Sequence, residues 1–220
     1  MAIKVIITGA TGMVGEGVLH ECISHPLVSE VLLVSRKSAG IHHDKVKELI
    51  VPDLTNLEPH KERLKGYDAC FFCLGVTSIG KKEPEYTRLT HTLTLSVATV
   101  LAGVNPQMTF CYISGAGTDG TEKGRIMWAR VKGKTENDVA KLPFKNVYLF
   151  RPGYLQPTPG LKNTHSFYNY ISWMYPVMNR LMPGMGSTLR ELALAMINSV
   201  VKGYERNVLE VRDIKRLAAQ

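Results

Sequence analysis

The chain has 220 residues, 45% of them hydrophobic and 21% charged, and 27 Lys and Arg against 19 Asp and Glu leave a formal charge of +8. The apolar content excludes intrinsic disorder, and the length suits one core that buries roughly 70% of the unfolded surface, so a single domain over 1–220 is expected. No run of roughly 18 residues is both uncharged and predominantly apolar as a membrane span would be, and the apolar start from Ala2 to Ile7 meets Gly9 too early for the core of a signal peptide.

Cysteines at 22, 70, 73 and 111 make no disulfide framework for a domain of this size. They fit a reducing compartment, and the expectation is a cytoplasmic protein with no membrane partner. An isoelectric point near 9.3 admits nucleic acid, anionic membrane or anionic small molecules as partners. Composition does not choose among them.

In chain order, short β-branched runs alternate with longer amphipathic stretches. Strands are predicted at Ile3 to Thr8, Val31 to Ser35, Lys47 to Val51, Ala69 to Leu74, Thr109 to Ser114 and Asn146 to Arg151. The unbroken apolar run Val31-Leu32-Leu33-Val34 calls for burial on both faces, as helices on either side of a parallel sheet provide. Helices are predicted at Val14 to Ile23, Pro84 to Gly103 and Ile126 to Leu142, with Pro26, Gly103 and Pro143 as stops. The fold class is therefore α/β, a doubly wound parallel sheet of the Rossmann type in three αβα layers.

Beyond Arg151-Pro152-Gly153 the pattern becomes irregular, with an aromatic and Met-rich stretch from Phe167 to Met185. The segment 154–186 is read as the variable substrate or cap segment. Thr188 to Val201 then reads as a helix, apolar at Leu189, Leu192, Met196 and Val200, and a small C-terminal helical extension is expected.

The most informative motif is Thr8-Gly9-Ala10-Thr11-Gly12-Met13-Val14-Gly15, between the first strand and the first helix. Gly9 permits the tight turn, Gly12 lets backbone approach a pyrophosphate, and Gly15 lets the helix close on the sheet. The free N–H groups at the helix start, around Thr11, Met13 and Val14, then face the phosphates. The strand-turn-helix context makes this a dinucleotide loop rather than a bare turn.

At the end of the second strand, Ser35-Arg36-Lys37 replaces the acidic residue that accepts from free ribose hydroxyls. A guanidinium and an ammonium suit a 2′-phosphate, so NADP is expected, with NADPH preferred over NADH. Asp53 and Leu54 follow the third strand at the adenine edge, and Leu74, Gly75 and Val76 follow the fourth near the ribose.

Together with the loop, Cys73-Leu74-Gly75, Ser114, Lys132-Gly133 and Arg151-Pro152-Gly153 resemble the short-chain dehydrogenase/reductase superfamily. The chain is most similar to its atypical, epimerase-like branch, which includes Tat-interactive-protein oxidoreductase-like and nucleoside-sugar epimerase-like proteins. The resemblance spans nearly the whole chain. It implies Ser114 and Lys132 as catalytic positions, Lys132 also holding the nicotinamide ribose, and Pro152 and Gly153 beside the nicotinamide.

The superfamily's tyrosine should stand four residues before the lysine, where this chain has Trp128. An indole N–H donates a hydrogen bond but has no accessible ionised form, so it cannot pass a proton. Tyr112 and Tyr154 are the nearest substitutes. A milder departure is Thr90, four residues after Tyr86, where the family often has Asn.

Two readings follow. One is an NADP(H)-dependent oxidoreductase or epimerase on a small, in one version anionic, carbonyl or hydroxyl substrate. The other is a non-catalytic NADP(H)-binding regulatory protein with a protein partner. Cys70-Phe71-Phe72-Cys73 reads as core, since an odd spacing on a strand points the two thiols to opposite faces, and His42-His43-Asp44 reads as a solvated loop, so no metal is expected.

The charge excess is local. Residues 1–118 hold 11 bases and 11 acids, whereas positions 123–162 hold nine bases against Glu136 and Asp138. A field beside the nicotinamide end would attract NADPH, and the basicity then needs no nucleic acid.

Overall fold

The structure, a computed structural model, describes residues 2–163, 182 and 184–220. Most of the aromatic stretch from Phe167 to Met185 lies outside the described residues.

Among the described residues, a seven-stranded sheet is built from β1 (Ile3–Thr8), β2 (Val28–Ser35), β3 (Val46–Ile50), β4 (Ala69–Phe72), β5 (Thr109–Ile113), β6 (Asn146–Arg151) and β9 (Val208–Glu210). Its order is β3-β2-β1-β4-β5-β6-β9, and every pairing is parallel. The chain leaves β1 toward one side of the sheet and later toward the other. The topological switch point, where such sheets bind ligands, therefore lies at the carboxyl ends of β1 and β4.

Alternation along each strand divides the core. Val5, Ile7, Val31, Leu33, Phe71, Cys111 and Phe150 face α1 (Met13–Ser24), α6 (Leu189–Val201) and α7 (Val211–Ala218). Ile6, Leu32, Val34, Cys70, Phe72, Phe110, Tyr112 and Leu149 face the opposite layer. That layer comprises the short α2 (Lys61–Leu64), α4 (Leu93–Val104) and α5 (Met127–Val139). Each fully buried Leu, Val or Phe contributes about 2 kcal/mol by removal from water, which explains why the central strands read as unbroken apolar runs.

The expected helix from Pro84 to Gly103 is divided. A short α3 (Glu83–Thr87) passes through a π turn at Arg88–Thr92 into α4. Thr188 caps α6 in a reciprocal capping box with Glu191. Three short strands were missed: β9 at the sheet edge, and β7 (Tyr154–Gln156) and β8 (Gly186–Thr188), which pair in parallel. Three residues are too few to display a period.

Candidate functional site

The glycine loop is shaped as its spacing demands. Gly9 has φ +73°, and a Cβ there would come within 2.8 Å of the Cys73 carbonyl carbon and oxygen. A Cβ on Gly15 would lie 2.2 Å from the Gly9 carbonyl oxygen, so α1 reaches the loop only through glycine. At Gly12 a Cβ would meet only that oxygen, at 3.5 Å, and a larger side chain would fill the space before the helix start. Gly12 occupies the N-cap with no side-chain cap, which leaves the N–H groups of Met13, Val14 and Gly15 at the positive end of the helix dipole. A pyrophosphate fits this cradle.

Glu16, one residue on, is turned away from that task. Its two carboxylate oxygens accept the N–H groups of Lys162 and Asn163 at 2.9 and 2.7 Å, which ties the strap after β7 to the first turn of α1.

At the adenosine end, Ser35 Oγ donates to the Lys37 carbonyl, and Glu48 accepts from Ser38 Oγ and Ala39 N–H, so the turn after β2 is pinned from both sides. Arg36 and Lys37 project from it, exposed and in no ion pair among the described residues. Asp53 accepts from the N–H and hydroxyl of Thr55, whose hydrogen bonds hold its carboxyl below the usual range. Leu54 requires a correction: it is 3% exposed, its side chain packed in the core, so it offers no surface to an adenine. Thr11 and Val76 are exposed at the loop tips.

The far end is a cleft of about 380 Å³ lined by Val14, Leu74, Gly75, Ser114, Trp128 and Lys132, with Cys73 and the Pro152-Gly153 turn completing it. Trp128 and Lys132 are four residues apart on α5 and so share a face, and Glu136 continues that face one turn deeper. Gly133 allows the helix to sit here, because a Cβ would overlap the Asp119 carbonyl oxygen at 1.8 Å. Trp128 forms a wall, its ring edge 3.6 Å from where a Gly117 Cβ would be.

Ser114 lines this cleft, but its hydroxyl is committed. Oγ donates to Glu136 Oε1 at 2.5 Å, and Glu136 is 1% exposed. Both Glu136 oxygens also receive Arg151, from Nε at 3.0 Å and Nη2 at 2.5 Å. The serine thus presents lone pairs, not a proton, to the cleft. Glu136 was missed as a site residue because in sequence it reads as one acid in a basic run. Its spacing from Lys132 and the arginine ending β6 were the available signals.

Lys132 Nζ donates to the Ser114 carbonyl oxygen. Burial lowers its pKa to about 8, opposed by the Glu136 charge. The substitute tyrosines do not reach the cleft as acids. Tyr112 is 1% exposed with its phenol pushed up by burial, and Tyr154 donates to Gln156 at 3.0 Å.

Cys70 and Cys73 pack into opposite layers, and burial pushes both thiols well above the usual range. His43 accepts the Lys45 N–H within a surface loop.

A family model described as semialdehyde dehydrogenase, NAD binding domain, matches residues 4–94. The chain is 29% identical over 155 residues to protein HTATIP2 of Rattus norvegicus, covering 69% of this chain and 62% of that protein. It is 27% identical over 155 residues to the mitochondrial protein fmp52-1 of Aspergillus oryzae, covering 68% and 64%. The chain is thus similar to the HTATIP2 and fmp52 proteins. The matched part spans less than two thirds of either relative.

Solved structures agree on the fold. Glucuronic acid dehydrogenase from Chromohalobacter salexigens superposes with a TM-score of 0.67 at 16% identity, over 95% of this chain and 76% of that one. A short-chain dehydrogenase from Burkholderia cenocepacia in complex with NADP gives 0.64 at 13%, over 99% and 93%. The chain therefore has the Rossmann-like α/β fold of these dehydrogenases. Among its described residues no helix is long and apolar enough to cross a membrane.

Proposed function

We propose that this protein is an NADP(H)-dependent oxidoreductase or epimerase acting on a small carbonyl or hydroxyl compound. The observation that carries the reading is the glycine-shaped, uncapped start of α1, whose Val14 lines the same cleft as Ser114 and Lys132. Arg36 and Lys37, exposed and in no ion pair among the described residues, follow the neighbouring strand β2. Bound there, the dinucleotide supplies the hydride donor or acceptor. The chain's own residues cradle its pyrophosphate, favour a 2′-phosphate, and place one ammonium and one serine oxygen at the reacting end. The four free cysteines suit a reducing compartment such as the cytoplasm.

The cofactor choice is tested by titrating NADPH and NADH against wild type and an Arg36→Ala, Lys37→Ala double variant. Wild type should favour NADPH by about tenfold or more, each lost charge-assisted contact being worth about 1.5 kcal/mol, and the double variant should bind both alike. Equal affinities in wild type would refute the 2′-phosphate assignment. Trp128 favours a second reading, a non-catalytic NADP(H)-binding regulator, which predicts tight binding without turnover on any carbonyl or alcohol.

A further inference from the structure

We propose that Lys132 is itself the group that exchanges a proton with the substrate oxygen, taking over the role for which Trp128 is chemically unfit. This rests on the oxidoreductase reading above.

Elimination supports it. Among the described residues lining the cleft, the side chains that titrate are Cys73 and Lys132. Burial drives the Cys73 thiol far up, and the Ser114 proton is given to Glu136. Tyr86 and Tyr112 are 2% and 1% exposed and are not among the residues that line the cleft. Lys132 alone combines a place in the cleft wall with a pKa, about 8, suited to proton exchange near neutrality.

The groups around it are few. Glu136 faces Lys132 from the same helix, Ser114 from the end of β5 and Cys73 from the loop after β4, while Arg151 on β6 is spent on Glu136 and Glu210.

The step balances with a nicotinamide dinucleotide as redox partner. In oxidation, a secondary alcohol loses hydride from carbon to the oxidised dinucleotide and its hydroxyl proton to the neutral Lys132 amine, and a C=O bond forms. In reduction, the carbonyl carbon gains hydride and the Lys132 ammonium returns the proton to oxygen. Oxidation then rises through about pH 8, and reduction falls above it, because each direction needs the opposite form of one amine.

The test begins without substrate. Protein labelled with carbon-13 at lysine Cε is titrated by NMR, with the Lys132 signal assigned by its loss in Lys132→Arg. A midpoint near 8 supports the proposal, and one near the ordinary lysine value of about 10.4 overturns it. In the second arm, Lys132→Arg keeps the charge but cannot release a proton. Turnover at saturating dinucleotide should fall about 100-fold or more. Turnover that survives the change overturns the proposal. Failure of wild type to bind a dinucleotide would instead sink the function proposed above, while a Lys132 that titrates normally sinks only this inference.

Discussion

Glu136 is enclosed by groups that need a negative charge: the Ser114 hydroxyl, the Arg151 guanidinium and, one turn back, Lys132. Removing one partner of a buried pair leaves the other uncompensated, at a cost of about 3 kcal/mol. Glu136→Ala should therefore lower the urea midpoint substantially, whereas Glu136→Met combined with Arg151→Met should recover most of the loss. Equal destabilisation in both variants would show that the pair is not what holds the base of α5 to β6. This residue was illegible in sequence for a physical reason. A lone acid among bases is usually solvated, and only the fold brings the end of β6 against the third turn of α5.

At the scale of elements, close approach is set by glycines that a sequence shows only as gaps in hydrophobicity. Gly133 is the sharpest case, since the Asp119 carbonyl occupies the place of its missing side chain. Gly133→Ala must push the 115–126 loop from α5 and displace Trp128, at a cost of about 2 kcal/mol or more from overpacking. Thermal unfolding checks the stability, and quenching of Trp128 fluorescence by acrylamide, in a Trp173→Phe background, checks the displacement. An unchanged variant on both measures would contradict this packing.

Longer elements were legible because burial on both faces writes itself as continuous apolar runs, as in β2, and because Gly9, Gly12 and Gly15 carry their geometry in their spacing. The π turn inside the α3–α4 helix and the three-residue strands carry no such signature. Leu54 looked like an adenine contact from its position after β3, yet the chain turns it into the core beside Leu57.

For the whole molecule, the fold redistributes the net charge. Of the nine bases between 123 and 162, Arg130, Lys134, Lys141 and Arg151 are in ion pairs, and Asp138 alone takes Lys134, Lys141 and His91. Because α5 runs back against the strands, Lys141 and Lys145 lie toward the strand starts, opposite the cleft. Of these nine bases Lys132 is the one that lines the cleft, while Arg36 and Lys37, exposed and in no ion pair among the described residues, stand after β2.

That arrangement makes one measurement decisive, the shift in unfolding temperature on adding NADPH or NADH. A ligand at about 100 times its Kd stabilises a native state by about 2.7 kcal/mol, which raises Tm by about 5–10 °C for a domain of this size. The expected result is that rise with NADPH, with NADH needing about tenfold more to match it. No shift with either dinucleotide at millimolar concentration would contradict the account.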